Sequence, residues 1–275
     1  MSKTVDISPE QQAAIAFDKQ SVSFDKIYSG NKIIEYKRRR VRAHITPLLP
    51  PHGRILELNA GTGEDAVYFA QQGHTVHATD ISEGMQKILR KKVDSIGLHS
   101  RVTTEICSFT QLELLENKGP YDLIFSNFAG LNCTDQLGKV LGSLSPLLKP
   151  SGVVTLVLLP KFCLWEMMLV FKGKFKTGFR RFFSREGRKA HIEGEYFRCW
   201  YYDPSTIKKY LRKEFEVAGI EGLCTLVPPS YIENFVERHP KKIQFLEKLE
   251  EKWKTKWPWR TIGDYYIISL KKKAN

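Results

Sequence analysis

The five cysteines are odd in number, form no CxxC pair and stand far apart at Cys107, Cys133, Cys163, Cys199 and Cys224, so neither a disulfide framework nor a thiolate zinc site is expected. Reduced thiols in or near a core are the expectation. The seven histidines show no ligand or triad spacing, so no metal is expected. The opening stretch MSKTVDISPEQQ has no apolar run and no small-residue cleavage site, which reads as a cytoplasmic protein. Long apolar runs are scarce elsewhere too. Residues 152–171 come nearest to the roughly 20 apolar residues of a membrane span, but Pro160, Lys161 and Glu166 interrupt them. The first eight are apolar or β-branched without alternation, as in a strand buried on both sheet faces. No internal repeat or low-complexity tract occurs.

What is present is an ordinary globular balance of 42% apolar and 27% charged residues over 275 positions, enough for one core with an elaboration grafted on. The net charge of +13 is uneven. Residues 51–160 hold 9 Lys/Arg against 11 Asp/Glu, whereas residues 161–275 hold 25 against 14 and residues 1–50 hold 9 against 5. A nearly neutral centre and a basic C-terminal half imply different jobs.

The pattern predicts two helices before the first strand, one starting at Ser8-Pro9 with Gln11 completing the cap and one over 31–49. From 53 to 159, short apolar runs alternate with amphipathic stretches: RILEL, HTVHATD, RVTTEIC, YDLIFSN and GVVTLVLL, with a helix after each of the first four. Five such strands make βαβ units. The expected fold is α/β, Rossmann-like and doubly wound, with helices on both faces. After Leu159 the regularity breaks into an insertion ending in a hairpin around Gly194, then a helix over 204–213, the strand FEVAGIEGL, a helical detour over 229–256 and a last strand DYYIISL.

The stretch ILELNAGTGEDAVYFA joins the first strand to its helix, where the backbone of an open α/β sheet approaches a ligand. Gly61 and Gly63 suit positive φ or close approach, and Asn59, the non-glycine residue that best tolerates the left-handed region, stands in for a first glycine. Asp80, at the end of the second strand, offers a carboxylate to a ribose diol. GTGEDA also matches the dinucleotide pattern GxGxxA, but Glu64 and Asp65 in the helix's first turn would repel a pyrophosphate and tolerate a cationic sulfonium.

The run from Glu57 to Gly63, an acidic residue two before a Gly-like turn, resembles the class I S-adenosylmethionine-dependent methyltransferases. The likeness covers roughly residues 50–160. It implies S-adenosylmethionine as cofactor, a seven-stranded mostly parallel sheet with the last strand antiparallel, and methyl transfer to a small-molecule acceptor. By the same resemblance Glu57, Asn59, Ala60, Gly61 and Gly63 form the turn, and Asp80 binds ribose with Ile81 and Met85 flanking adenine. Ser108, where the family usually has Asp, and Phe109 stand at the adenine contacts after the third strand. Asn127 and Phe128 lie beside the methionyl group and substrate, and Tyr28 or an arginine of KRRR from a helical cap reaches the cofactor carboxylate.

The implied organisation is a cap over 1–50, a cofactor core over 51–160, a lid or substrate insertion over 161–203 and a sheet-completing segment over 204–275. The insertion interleaves Phe162, Trp165, Phe171, Phe175, Phe179, Phe182 and Phe183 with nine Lys/Arg and two acids between 161 and 189, as an apolar acceptor pocket or a membrane-facing surface would. His191, Glu166, Tyr201 and Tyr202 are candidates to orient an acceptor, and no catalytic residue is assigned. NFAG at Asn127 lacks the NPPY-type motif of amino-methylating DNA enzymes, so a nucleic-acid acceptor is disfavoured. A membrane surface and the oligomeric state stay open. The alternatives are a non-catalytic nucleic-acid or membrane-surface binding protein on the same fold, or an NAD-dependent oxidoreductase.

Overall fold

The computed structural model describes residues 7–232 and 234–274, so the first six residues of the stretch read for a leader lie outside it. Ser8 caps α1 (Pro9–Tyr28), accepting from the Gln11 amide while the Gln11 side chain returns a bond to the Ser8 amide. Asn31 caps α2 (Lys32–Ile45), which ends in a short 3-10 turn at Thr46–Leu48 rather than running on to 49. The core follows as β1 (Arg54–Leu58), α3 (Glu64–Gln71), β2 (Thr75–Asp80), α4 (Glu83–Ser95), β3 (Val102–Ile106), β4 (Tyr121–Ser126), α5 (Leu137–Gly142) and β5 (Leu148–Leu158). The insertion comprises α6 (Leu164–Met168), α7 (Phe175–Gly178) and the hairpin β6 (Arg188–Ile192) with β7 (Glu195–Cys199). α8 (Pro204–Leu211), β8 (Phe215–Leu223), α9 (Phe235–Arg238), α10 (Pro240–Trp253) and β9 (Tyr265–Lys272) complete the chain.

Seven strands form one sheet in the order β3-β2-β1-β4-β5-β9-β8, with β9 antiparallel to both neighbours and the first five strands parallel. This is the doubly wound, Rossmann-like topology expected of the alternating pattern. The order reverses between β1 and β4, which opens a crevice at their carboxyl ends. Residues 152–158 are all buried, so the longest apolar run is a central strand. Among the described residues no helix is long and apolar enough to cross a membrane.

One expected element is different. The link from β3 to β4 carries only a 3-10 segment, Phe109–Leu114, broken by non-helical dihedrals at Gln111. Ser108 explains the short segment, because its hydroxyl caps Thr110 and competes with helical bonding, and the Gly119-Pro120 pair then limits the length left for a helix. Two apolar layers cover the sheet, one with Leu112, Leu141 and Ile207, the other with Phe69, Leu89 and Val41. The cysteines are free thiols, four of them buried, as expected.

Candidate active site

A cavity of about 300 Å³ lies at the carboxyl ends of β1, β2 and β4, walled by α1 and α2. Its floor is the turn after β1. Asn59 holds φ 47° there, donates from Nδ2 to the Asn127 carbonyl at 2.9 Å and accepts at Oδ1 from the Ser126 hydroxyl at 2.6 Å. Its side chain therefore ties the turn to the end of β4, which a glycine could not do. Gly130 leaves room for it: a Cβ there would come within 2.2 Å of Asn59.

The two glycines of the turn differ. Gly61, at φ 57°, has nothing within 4 Å of where a Cβ would project, so a side chain there would fill cavity space. Gly63, at φ 78°, packs on Leu89, whose Cδ1 would lie 2.0 Å from an added Cβ. The first glycine is open to a ligand and the second serves helix packing. Asp80 accepts from the Gly61 amide at 2.8 Å and the Ser82 amide at 2.9 Å, which aims its carboxylate along the cavity floor. Burial raises its pKa, and those amide bonds act against the rise.

Of the residues predicted from sequence, Tyr28, Glu57, Asn59, Ala60, Gly61, Asp80, Ile81, Met85, Phe109, Asn127 and Phe128 line this cavity. Gly63 and Ser108 do not. Ser108 is spent on capping, its hydroxyl 2.8 Å from that of Thr110. Thr110 in turn donates to Glu10 of α1 at 2.9 Å, and the second Glu10 carboxylate oxygen is buried without a partner. Glu10, Lys37, Arg38 and Tyr265 also line the cavity and were not picked out individually, because chain folding rather than local spacing brings them in.

Electrostatic compensation corrects one inference. Asp65 is held by Arg38 at 3.0 Å, Arg42 at 2.7 Å and the Asn127 amide at 2.8 Å, and Glu64 pairs with Lys92. Both acids of the first helical turn are neutralised, so they do not repel a pyrophosphate as their bare sequence implied. Glu57, 3% exposed, lines the cavity and, like Glu10, keeps one buried carboxylate oxygen unpartnered. Burial first, and Asp65 second, push its pKa well up, while Arg38 and Arg42 pull it down. The folded protein therefore takes up that proton more readily than the unfolded chain. Stability tied to it is full below the ordinary carboxylate range, about pH 4, and is lost as pH rises through the folded value. Glu57→Gln is thus expected to raise the thermal midpoint of the ligand-free protein at neutral pH, against an unsatisfied-acceptor cost of about 1–3 kcal/mol, and to change little near pH 4. Thermal denaturation across pH checks this, and a shift that ignores pH would assign the effect to packing instead.

The cover over the cavity is α1, not the aromatic part of the insertion. Asp18 accepts from the Ser82 hydroxyl at 2.8 Å and the Gly84 amide at 2.6 Å, and Asp25 accepts from Thr62 at 2.6 Å, so α1 is bolted to α4 and to the turn. The hairpin braces α1 from outside through Lys19–Glu195 and Phe17 against Phe197, and Ile192 alone of the insertion reaches the cavity. Phe171, Phe175, Phe179, Phe182 and Phe183 are solvent-exposed and do not line this cavity. The four candidate orienting groups are elsewhere: Glu166 is buried between Arg180 and Arg181, Tyr201 packs near Arg181, Tyr202 donates to the Thr134 carbonyl and His191 packs at a tilt against Tyr196.

Residues 55–152 match the family model described as a methyltransferase domain. Demethylmenaquinone methyltransferase of Leptospira interrogans is 26% identical over 141 residues, 50% of this chain and 56% of that protein. The chain thus matches little more than half the length of that curated relative. The crystal structure of 1,6-didemethyltoxoflavin-N1-methyltransferase from Burkholderia thailandensis, with S-adenosylhomocysteine bound, aligns with TM-score 0.54 and 17% identity over 97% of this chain and 91% of that one. The [4+2]-cyclase SpnF aligns with TM-score 0.61 and 14% identity over 98% of both chains. Those two likenesses establish the fold, and a cyclase among them shows that the fold alone does not set the reaction. Residues 55–152, which hold the glycine turn, Asp80 and the first four strands of the sheet, are thus similar to methyltransferase domains, and the whole chain shares its fold with the solved structures named above.

Proposed function

We propose that the protein transfers a methyl group from S-adenosylmethionine to a small-molecule acceptor. The observation that carries this reading is one cavity combining an open glycine cradle at Gly61, a diol acceptor at Asp80 and an unpartnered buried carboxylate at Glu57. That donor and acceptor set fits the cofactor. Asp80 accepts from the ribose hydroxyls, Ile81, Met85 and Phe109 enclose the adenine, and Glu57 accepts from the methionyl ammonium. Asn127 and Phe128 shape the reacting end, with Tyr28 and Arg38 toward the methionyl carboxylate. Glu10 takes the place of the missing aspartate after β3, its free oxygen facing a base that donates hydrogen bonds. In this reading residues 1–50 are the cap, residues 51–160 the cofactor core and residues 204–275 the completion of the sheet.

When bound, the cofactor supplies a methyl group already activated by its sulfonium. The chain then has to orient the acceptor in line and exclude water. Two cavity groups, Lys37 and Tyr265, are poorly suited to act as bases. Lys37 stays protonated, since Asp264 and its neighbours overcome the lowering by burial, and burial pushes Tyr265 up to about 12. An acceptor that ionises by itself needs no base from either group, and with such an acceptor the rate should rise with pH along the acceptor's own ionisation. Incubation with S-adenosylmethionine and a panel of phenols, hydroquinones, amines and carboxylates, read by formation of S-adenosylhomocysteine and methylated product, tests the proposal. Turnover with one class is expected; none above an Asp80→Ala control for any class would contradict it.

A further inference from the structure

The segment between β5 and the hairpin exposes five phenylalanines within thirteen residues: Phe171 at 92%, Phe183 at 71% and Phe175 at 59%, with Phe179 and Phe182 less so. Isolated exposed apolar side chains are ordinary, but a cluster of aromatic rings on a small lobe marks a contact surface. Lys172, Lys174, Lys176 and Arg185 are exposed among them, and none forms an ion pair with a described residue. The lobe's acids do not balance this. Glu166 is buried and saturated by Arg180 and Arg181, which leaves Glu186 as the one exposed acid from 171 to 186. The rings and cations are held out deliberately by the fold: Arg181, 2% exposed, bonds Glu166 and Asp264 beneath them, and Asp264 bonds Lys37 on the cavity wall.

Rings that shed water, interleaved with unpaired cations, complement an apolar layer under a negatively charged face. A second copy of this chain, at net charge +13, would be repelled by the same cations. We propose that residues 168–185 form a docking lobe for an anionic lipid bilayer, seating Phe171, Phe175 and Phe183 at the headgroup boundary with Lys172, Lys174 and Lys176 on the lipid phosphates. The lobe begins ten residues after the carboxyl end of β5, at the end of α6, and that sheet end also holds the cavity. Docking there brings the cavity close to the bilayer, where lipid-soluble acceptors are concentrated.

The test is co-sedimentation with phosphatidylcholine vesicles with and without phosphatidylserine, which does not depend on methyl transfer and so separates its failure from that of the proposed activity. Binding is expected on the anionic vesicles at low salt and is expected to disappear at about 1 M salt, where the screening length is about 3 Å. Reversal of three charges in K172E/K174E/K176E should weaken it about a hundredfold or more, and F171S/F175S/F183S should weaken it on anionic vesicles without changing cofactor affinity. All six positions are exposed, and an unchanged thermal midpoint confirms the fold of each variant. Absence of sedimentation at low salt, or binding indifferent to both variants, overturns the proposal. So does a concentration-dependent dimer in sedimentation velocity that F171S/F175S/F183S abolishes, since the surface would then belong to a second copy.

Discussion

Asp264→Ala should lower the thermal midpoint by roughly 6–20 °C. The Asp264 carboxylate lies 2.9 Å from Lys37 Nζ and 2.8 Å from Arg181 Nη2, with all three groups at most 5% exposed. Removing it leaves two buried cations facing each other without their shared anion. Breaking a buried pair from one side costs about 3–5 kcal/mol, and each kcal/mol moves the midpoint of a chain of this size by about 2–4 °C. Burial alone would raise the Asp264 pKa, but the charges and hydrogen bonds of Lys37 and Arg181 hold it below the ordinary value. Its contribution is therefore present above the ordinary carboxylate range and lost as pH falls through the lower folded value. Thermal denaturation from neutral to acid pH should show wild type and variant converging in acid. A midpoint loss under about 2 °C at neutral pH would mean that other partners, Glu166 on Arg181 among them, satisfy the two cations without the Asp264 carboxylate.

Asp80→Ala should weaken S-adenosylhomocysteine about ten- to a hundredfold while the protein stays folded. Losing a hydrogen bond to a charged acceptor costs about 1.5–3 kcal/mol, and 1.4 kcal/mol is tenfold in affinity. The Asp80 carboxylate bonds backbone amides of its own turn and of the Gly61 turn, so its loss loosens turns without opening the core. Asp80→Asn keeps an uncharged acceptor and should fall between. Calorimetric affinity unchanged in the alanine variant would remove Asp80 from the site.

These two residues also mark what could be read from the chain and what could not. The sheet was legible because short apolar-rich runs alternate with amphipathic stretches between turn signals, and Asp80 was legible because its place follows from that count. The missing helix after β3 was hidden in Ser108 and Thr110, whose hydroxyls bond locally and to Glu10 a hundred residues away. The ion network was half visible. Arg38 and Arg42, four apart, share one face of α2 and meet Asp65, while Arg40 and His44, again four apart, meet Glu221 on another. That spacing marks two working faces in KRRR, but it does not show which acids they meet. Asp264 and Lys37 stand 227 residues apart and no local rule pairs them. The insertion's aromatics illustrate the opposite limit: composition alone fits a pocket wall and a surface equally, and exposure distinguishes them.

The central claim is that this cavity holds S-adenosylmethionine through its ribose and methionyl ends. Isothermal titration of the wild-type chain with S-adenosylhomocysteine and, separately, with NAD tests it most directly. The account predicts one saturable site for the sulfur compound, competed by S-adenosylmethionine, weakened by Asp80→Ala and by a side chain placed in the open cradle by Gly61→Ala, with no heat from the dinucleotide. Saturable binding of NAD with no response to either sulfur compound would contradict it.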